Sequence, residues 1–105
     1  MDMAQLGRAL AAFAVNSPTH WPNHFSQVFL AVAQQQPVTF AELEEVLGLS
    51  NSAISRTVAA LGETHRKGTT GYGLCVVSKD PAEGRRFIVM LTAKGEALKR
   101  QLLAC

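Results

Sequence analysis

The chain has 105 residues, which suffices for one domain with a single core and is too short for two. Its composition, 48% hydrophobic and 17% charged, is that of an ordinary globular protein, and its longest apolar runs, 28–33 and 87–91, fall far short of the roughly 20 residues that cross a bilayer. The first residues and the two cysteines indicate neither a signal peptide nor a disulfide framework, so we expect a cytoplasmic protein.

The net charge of +2 conceals a strong asymmetry between the two halves of the chain. Residues 1–50 carry one cation against four carboxylates, a net −3, whereas residues 51–105 carry nine cations against four carboxylates, a net +5. A polyanionic partner on the C-terminal half would account for this difference. The alternative is that the charges form an ordinary solvated surface.

Two helices are predicted before position 37. Residues 3–15 have the apolar spacing of a first helix, and two prolines interrupt the chain between 16 and 22. Asn23 is expected to cap a second helix, which ends at Pro37. The apolar faces of these helices consist of Leu6, Leu10, Phe13, Phe25, Val28, Phe29 and Val32.

The region between these helices contains histidines and aromatic residues. His20 and His24 are four apart, but Pro22 separates them and no cysteine or acidic pair lies nearby, so we predict no metal site and expect packing near Trp21. Three aromatic residues could either line an effector pocket or fill the core: Trp21, Phe25 and Phe29.

Segment 39–62 has the pattern of a helix-turn-helix. Thr39 and Glu42 have the spacing of a capping box that starts one helix, and Gly48 can take the left-handed conformation that ends it. Apolar residues recur at helical spacing between them at Leu43, Val46 and Leu47.

The second helix of this pair is predicted over 51–61, with Ser50 or Asn51 as its cap. Its apolar stripe is Ile54, Val58 and Leu61. Its opposite face is small or polar apart from one arginine and carries Ser52, Ser55, Arg56 and Ala59. A thin face of this kind fits the major groove of DNA, which is about 12 Å wide.

Four side chains at this helix are therefore candidates for base contacts: Asn51, Ser52, Ser55 and Arg56. Asparagine can pair with adenine, arginine with guanine and serine with either. The competing interpretation is structural: the first two residues cap the helix, and Arg56 pairs with an acid such as Glu63.

A glycine-rich basic loop is predicted over 63–71, followed by a hairpin over 72–91. Arg66 and Lys67 in the loop are candidates for phosphate contacts. The hairpin turn is flanked by three further DNA-binding candidates, Lys79, Arg85 and Arg86. In the alternative interpretation, an arginine of the turn pairs with Asp80 or Glu83 and stiffens it.

Thr92 is expected to cap a last helix over 92–104, with Leu98 and Leu102 on one side. Cys75 has no basic neighbour in the sequence that would activate its thiol, so we expect a small buried side chain. No catalytic constellation or phosphate-binding glycine loop is present, so we predict neither an enzyme nor a cofactor.

The order of these elements indicates a single winged helix-turn-helix domain over 1–105, mainly α with a small β-hairpin. Residues 47–56 and 80–95 resemble the MarR family of transcriptional regulators, particularly its short, phage-borne members. Asp80, Glu83 and Arg85 match the family's wing motif, as do Leu91, Thr92 and Gly95, whereas Ala82 stands where the family usually has an arginine.

This resemblance implies a sequence-specific regulator of double-stranded DNA, acting as a repressor and pairing as a homodimer through its terminal helices. The recognition helix would enter the major groove, and the wing at 79–86 would contact the minor groove or the backbone. The alternative is a winged protein-interaction module that docks on transcription machinery or another phage or host protein, because a fold does not fix a function.

Overall fold

The computed structural model describes residues 1–16, 20–62 and 71–105, in which five helices surround a small three-stranded sheet. The elements in chain order are α1 (Met3–Ala14), α2 (Asn23–Gln35), β1 (Val38–Thr39), α3 (Phe40–Leu47), α4 (Asn51–Leu61), β2 (Cys75–Lys79), β3 (Phe87–Leu91) and α5 (Ala93–Leu103). Within this part of the chain, no helix has both the length and the apolar character needed to cross a membrane.

Side-chain caps start most of these helices where the sequence predicts them. The capping box of Thr39 and Glu42 is present, and the hydroxyl of Thr92 accepts the backbone N–H of Gly95. The prediction that Asn23 caps α2 is wrong. Pro22 occupies the cap position with an extended backbone (φ −61°, ψ 142°), and Asn23 is already the first helical residue.

The core is formed mainly by α2, α3, α4 and the sheet. Its fully buried side chains include Phe29, Leu43, Ile54, Leu61, Leu74 and Val89. Of the apolar face predicted for α1, only Phe13 enters this core, since Leu6 and Leu10 are 42% and 50% exposed. Ala12 and Phe13 are the buried residues of α1, so this helix is anchored near its C-terminal end.

The sheet is antiparallel, in the order β1–β3–β2. Val38 of β1 pairs with Val89 of β3. At two residues, β1 is too short to be predicted from the sequence. The hairpin register runs from Cys75 opposite Leu91 to Lys79 opposite Phe87.

The prediction that Tyr72 belongs to the first hairpin strand is wrong. The backbone N–H groups of Tyr72, Gly73 and Leu74 donate to carbonyls at the end of α4, and Gly73 has a positive φ of 69°. The strand therefore begins only at Cys75. These bonds join the wing directly to the last turn of α4.

A second junction joins the wing to α5. The backbone N–H of Thr92 donates to the carbonyl of Leu74 at 3.0 Å, and its hydroxyl donates to the carbonyl of Gly73 at 2.6 Å. At Gly95 the helix backbone lies so close to Leu74 that an added Cβ would overlap the Leu74 carbonyl oxygen. Glycine is thus required at this position for α5 to approach the wing.

Two glycine-to-alanine substitutions should therefore have opposite effects on stability. Gly95→Ala should lower the free energy of unfolding by about 1–3 kcal/mol, because the new methyl group collides with backbone. Gly7→Ala, in α1 with no atom within 4 Å of the added Cβ, should raise it by about 0.5–1 kcal/mol. Urea denaturation measures both, and a Gly95→Ala variant at least as stable as the unsubstituted protein would contradict the close approach at Gly95.

Candidate nucleic-acid interface

Helix α4 has one fully buried side and one exposed side. Ile54, Val58 and Leu61 are at most 1% exposed, as the predicted stripe requires. The exposed residues on the other side are Asn51, Ser52, Ser55, Arg56 and Ala59. The buried side also includes Thr57, which the apolar pattern missed because threonine is polar. Its hydroxyl donates to the carbonyl of Ala53 at 2.8 Å, so the side chain can be buried without a water partner.

Two side-chain hydrogen bonds hold the start of α4, one with Ser50 just before the helix and one with Glu44 of α3. Ser50 is the cap, and its hydroxyl accepts the N–H of Ala53 at 3.1 Å. Asn51 instead donates its Nδ2 to Oε2 of Glu44 on α3 at 3.1 Å. Asn51 and Ser52 therefore do not cap the helix, which removes that structural explanation for them.

Arg56 projects from the exposed side of α4, one turn after Ser52. Among the residues that the structure describes, no carboxylate lies within 4.0 Å of its guanidinium group. Its predicted alternative partner, Glu63, lies outside the described residues, as do the loop candidates Arg66 and Lys67.

The wing turn is closed by hydrogen bonds to Asp80. Its carboxylate accepts the backbone N–H of Ala82 at 2.9 Å and both Nε and Nη2 of Arg86, at 2.9 and 2.6 Å. The bond from Ala82, followed by the contact with Arg86, lowers the pKa of Asp80 below its usual value, and the same contact raises the pKa of Arg86. Both groups are thus charged at neutral pH, and Arg86 stiffens the turn.

The structure separates the three wing cations into two groups. Arg86 is engaged with Asp80, while Lys79 and Arg85 are exposed and, within the described segments, have no carboxylate within 4.0 Å. Ala82 is exposed at the tip of the turn and carries no charge. The cations available to a partner are therefore Lys79 and Arg85.

The aromatic residues predicted to line or fill a pocket pack against one another. Trp21 stacks on Phe13 at 5.9 Å between ring centroids and lies 5.1 Å from Tyr72, a member of the cluster that the sequence did not reveal. The Trp21 Nε1 donates to the hydroxyl of Ser26 at 2.7 Å. Phe29 is fully buried, so these rings form core between the first helices and the wing junction.

Comparisons with known proteins bear on the fold. No protein-family model and no curated protein matches the chain. Solved structures match the chain over nearly its whole length. One of them is a cysteine mutant of MarR from E. coli bound to operator DNA, which aligns at a TM-score of 0.67 with 21% identity over 95% of this chain and 66% of its own. The chain has the MarR fold.

Two further regulators have the same fold. The PcaV transcriptional regulator of Streptomyces coelicolor, solved with its natural ligand, aligns at a TM-score of 0.66 with 25% identity over 99% of this chain and 74% of its own. BpsR of Bordetella bronchiseptica, whose DNA binding is regulated by 6-hydroxynicotinic acid, aligns at 0.65 with 22% identity over 96% and 67%. This chain thus spans about two thirds to three quarters of the length of these MarR-fold proteins.

The winged helix-turn-helix predicted from the sequence is confirmed as this MarR fold, with a third strand, β1, added to the hairpin.

Cys75 occupies the first position of β2, where it is 1% exposed. Burial raises the pKa of its thiol to about 12. The expectation of a small buried side chain at Cys75 is therefore confirmed.

Burial of Cys75 predicts how the two thiols react. At pH 8, an aromatic disulfide reagent should modify the partly exposed Cys105 quickly and Cys75 only after urea unfolds the chain. The Cys75→Ala variant should show the fast reaction alone. Two fast equivalents in the folded protein would contradict the buried position.

The same pKa gives a dependence of stability on pH. A pKa of about 12 keeps the folded thiol protonated, whereas the unfolded thiol ionises above about pH 8.5. Unfolding then releases a proton, so the free energy of unfolding should fall as the pH rises above about 8.5. This fall should be smaller in Cys75→Ala, which lacks the buried thiol.

Proposed function

We propose that this protein is a sequence-specific double-stranded DNA-binding regulator that inserts α4 into the major groove. The exposed side of α4 carries this proposal: it bears three short polar side chains and one arginine, and its opposite side is buried. Short side chains let the helix approach base edges closely, and the groove admits one helix of this width. The asparagine, serines and arginine are types that pair with base edges.

The wing supplies the second contact in this proposal. Arg85 and Lys79 are exposed beside the turn, and the focused negative potential of a narrow minor groove attracts such cations. Arg86 contributes by holding the turn through Asp80. Arg66 and Lys67 add phosphate contacts, which make binding dependent on salt. The operator complex of MarR supports this arrangement by the likeness of fold.

Homodimerisation is part of the proposal, with α1 and α5 as the contact surface. Met3 of α1, Val15 just after α1 and Leu103 of α5 are 85%, 77% and 79% exposed. An open cleft of about 450 Å³ lies between the C-terminal parts of α1 and α5, and its lining includes Ala11, Ala12, Val15 and Ala104. Two copies joined here would present two α4 helices to half-sites about 34–36 Å apart on a palindrome.

Repression in the cytoplasm is the outcome that we propose, since a dimer seated on its operator blocks other proteins from the same DNA. A ligand effect on DNA binding, as described for BpsR, would be an addition to this role. The described residues contain no group of three or more metal-binding side chains.

A protein-docking module is a second candidate, favoured by apolar side chains on the wing. Val76, Val77, Phe87 and Met90 are between 38% and 50% exposed. Such a module needs no thin, cationic face on α4. Retention on heparin with steep salt elution, followed by competition with a duplex of scrambled sequence, separates the two functions.

Arg56→Ala should weaken binding to a duplex enriched from the source genome by about 1–3 kcal/mol and relax the preference at one base position. The control is Arg100→Ala, which removes an equal charge from α5, and sedimentation of both variants checks that each assembles as the unsubstituted protein does. Fluorescence anisotropy with specific and scrambled duplexes measures both effects. Equal losses in the two variants would show that Arg56 contributes only charge.

The dimer should be visible in sedimentation at micromolar concentration. Leu103→Glu, which places a charge on the exposed end of α5, should shift the protein toward monomer and weaken binding to a palindrome more than to a single half-site. A monomer both with and without DNA in the unsubstituted protein would overturn the proposed assembly.

A further inference from the structure

The side chain of Asn51 is bonded to a neighbouring helix rather than to its own. Asn51 is the first residue of α4 and is exposed, and its Nδ2 donates to Oε2 of Glu44, seven residues earlier on α3. Because Ser50 already caps α4, this bond is not needed to start the helix. Its effect falls on the orientation of the Asn51 amide.

A carboxylate fixes that orientation because it can only accept hydrogen bonds. Glu44 can therefore bind only the NH₂ end of the Asn51 amide. One N–H and the Oδ1 of Asn51 are left for another partner, since no other hydrogen bond reaches this amide from the described residues. A donor beside an acceptor is the pattern that matches N7 and the N6 amino group of adenine.

Glu44 is itself held in place by the end of α3. The backbone N–H of Gly48 donates to the carbonyl of Glu44 at 2.9 Å, and Gly48 has the left-handed conformation (φ 66°) that closes the helix. Leu43, which precedes Glu44 on α3, and Ile54 on α4 are both fully buried. The carboxylate thus approaches Asn51 from a rigid backbone.

We propose that Glu44 is a positioning residue that holds the amide of Asn51 so that this side chain reads adenine at one position of the operator. The inference rests on the proposed function and adds to it the origin of one base preference. Without Glu44, the amide can rotate by half a turn and offer donor and acceptor in reversed order. The chain would then lose discrimination at that base pair while keeping its other contacts.

The experiment enriches bound sequences from a pool of randomised duplexes, using the full chain and four variants: E44A, E44Q, N51A and E45A. E44A removes the acceptor, whereas E44Q replaces an acceptor-only group with an amide that can bind the Asn51 amide in either orientation. E45A is the matched control, because Glu45 is an exposed carboxylate on the same helix with no bond to Asn51.

The unsubstituted chain should enrich adenine at one position of the duplex. N51A should abolish the preference at that position. In E44A that preference should fall by about tenfold, with the other positions unchanged. E44Q should lose part of the preference, because its amide also tolerates the reversed orientation of Asn51, and E45A should keep it. Adding E44A to N51A should change the preference no further. Retained affinity for a scrambled duplex in each variant shows that the variants are folded.

Three results would overturn the proposal. In the first, E44A keeps the full preference; in the second, E45A loses as much of it as E44A, which would assign the effect to charge. The third is a preference at the Asn51 position for a base other than adenine. These outcomes leave the proposed function intact, whereas enrichment of no sequence by the unsubstituted chain would refute the function itself.

Discussion

The packing of the aliphatic side of α4 against α2 and α3 determines what the rest of the molecule can present. Ile54, Val58 and Leu61 are fully or almost fully buried, and burial of side chains of this size contributes about 1.5–3 kcal/mol each. Rotating α4 about its axis would expose these side chains and bury an arginine. The thin polar side is therefore held outward by the same contact that forms the core.

The positions of the wing and of α5 follow from the end of α4. Tyr72, Gly73 and Leu74 donate to the last carbonyls of α4, and Thr92 then bonds back to Gly73 and Leu74. Gly95 lets α5 lie against this junction. The wing is thus a fixed extension of α4, so a duplex that meets α4 also meets the exposed cations of the wing turn in a set geometry.

Much of the fold could be predicted from the sequence because it depends on local rules. Capping residues such as Thr39 and Thr92, together with apolar spacing, placed the boundaries of α3, α4 and α5 to within a residue. Contacts between distant residues could not be predicted in this way. The pairing of Val38 with Val89 and the ring of Tyr72 against Trp21 leave no periodic signal in the sequence.

The candidate site shows the same division. Composition and spacing identified the exposed face of α4, but only the structure shows that Arg86 is held by Asp80 while Arg85 is exposed. The bond between Asn51 and Glu44 spans the turn between two helices and depends on its three-dimensional path. Sequence patterns therefore located the surface, and tertiary contacts determine which of its side chains are available to a partner.

The most direct test of this account is an NMR titration of the full chain with an enriched duplex, in which the backbone amide shifts are mapped onto the structure. The account predicts that the largest shifts fall on the first turns of α4 and on the wing turn around Arg85. Shifts concentrated on α1 and α5, or on the apolar strands of the wing, with α4 unchanged, would contradict it.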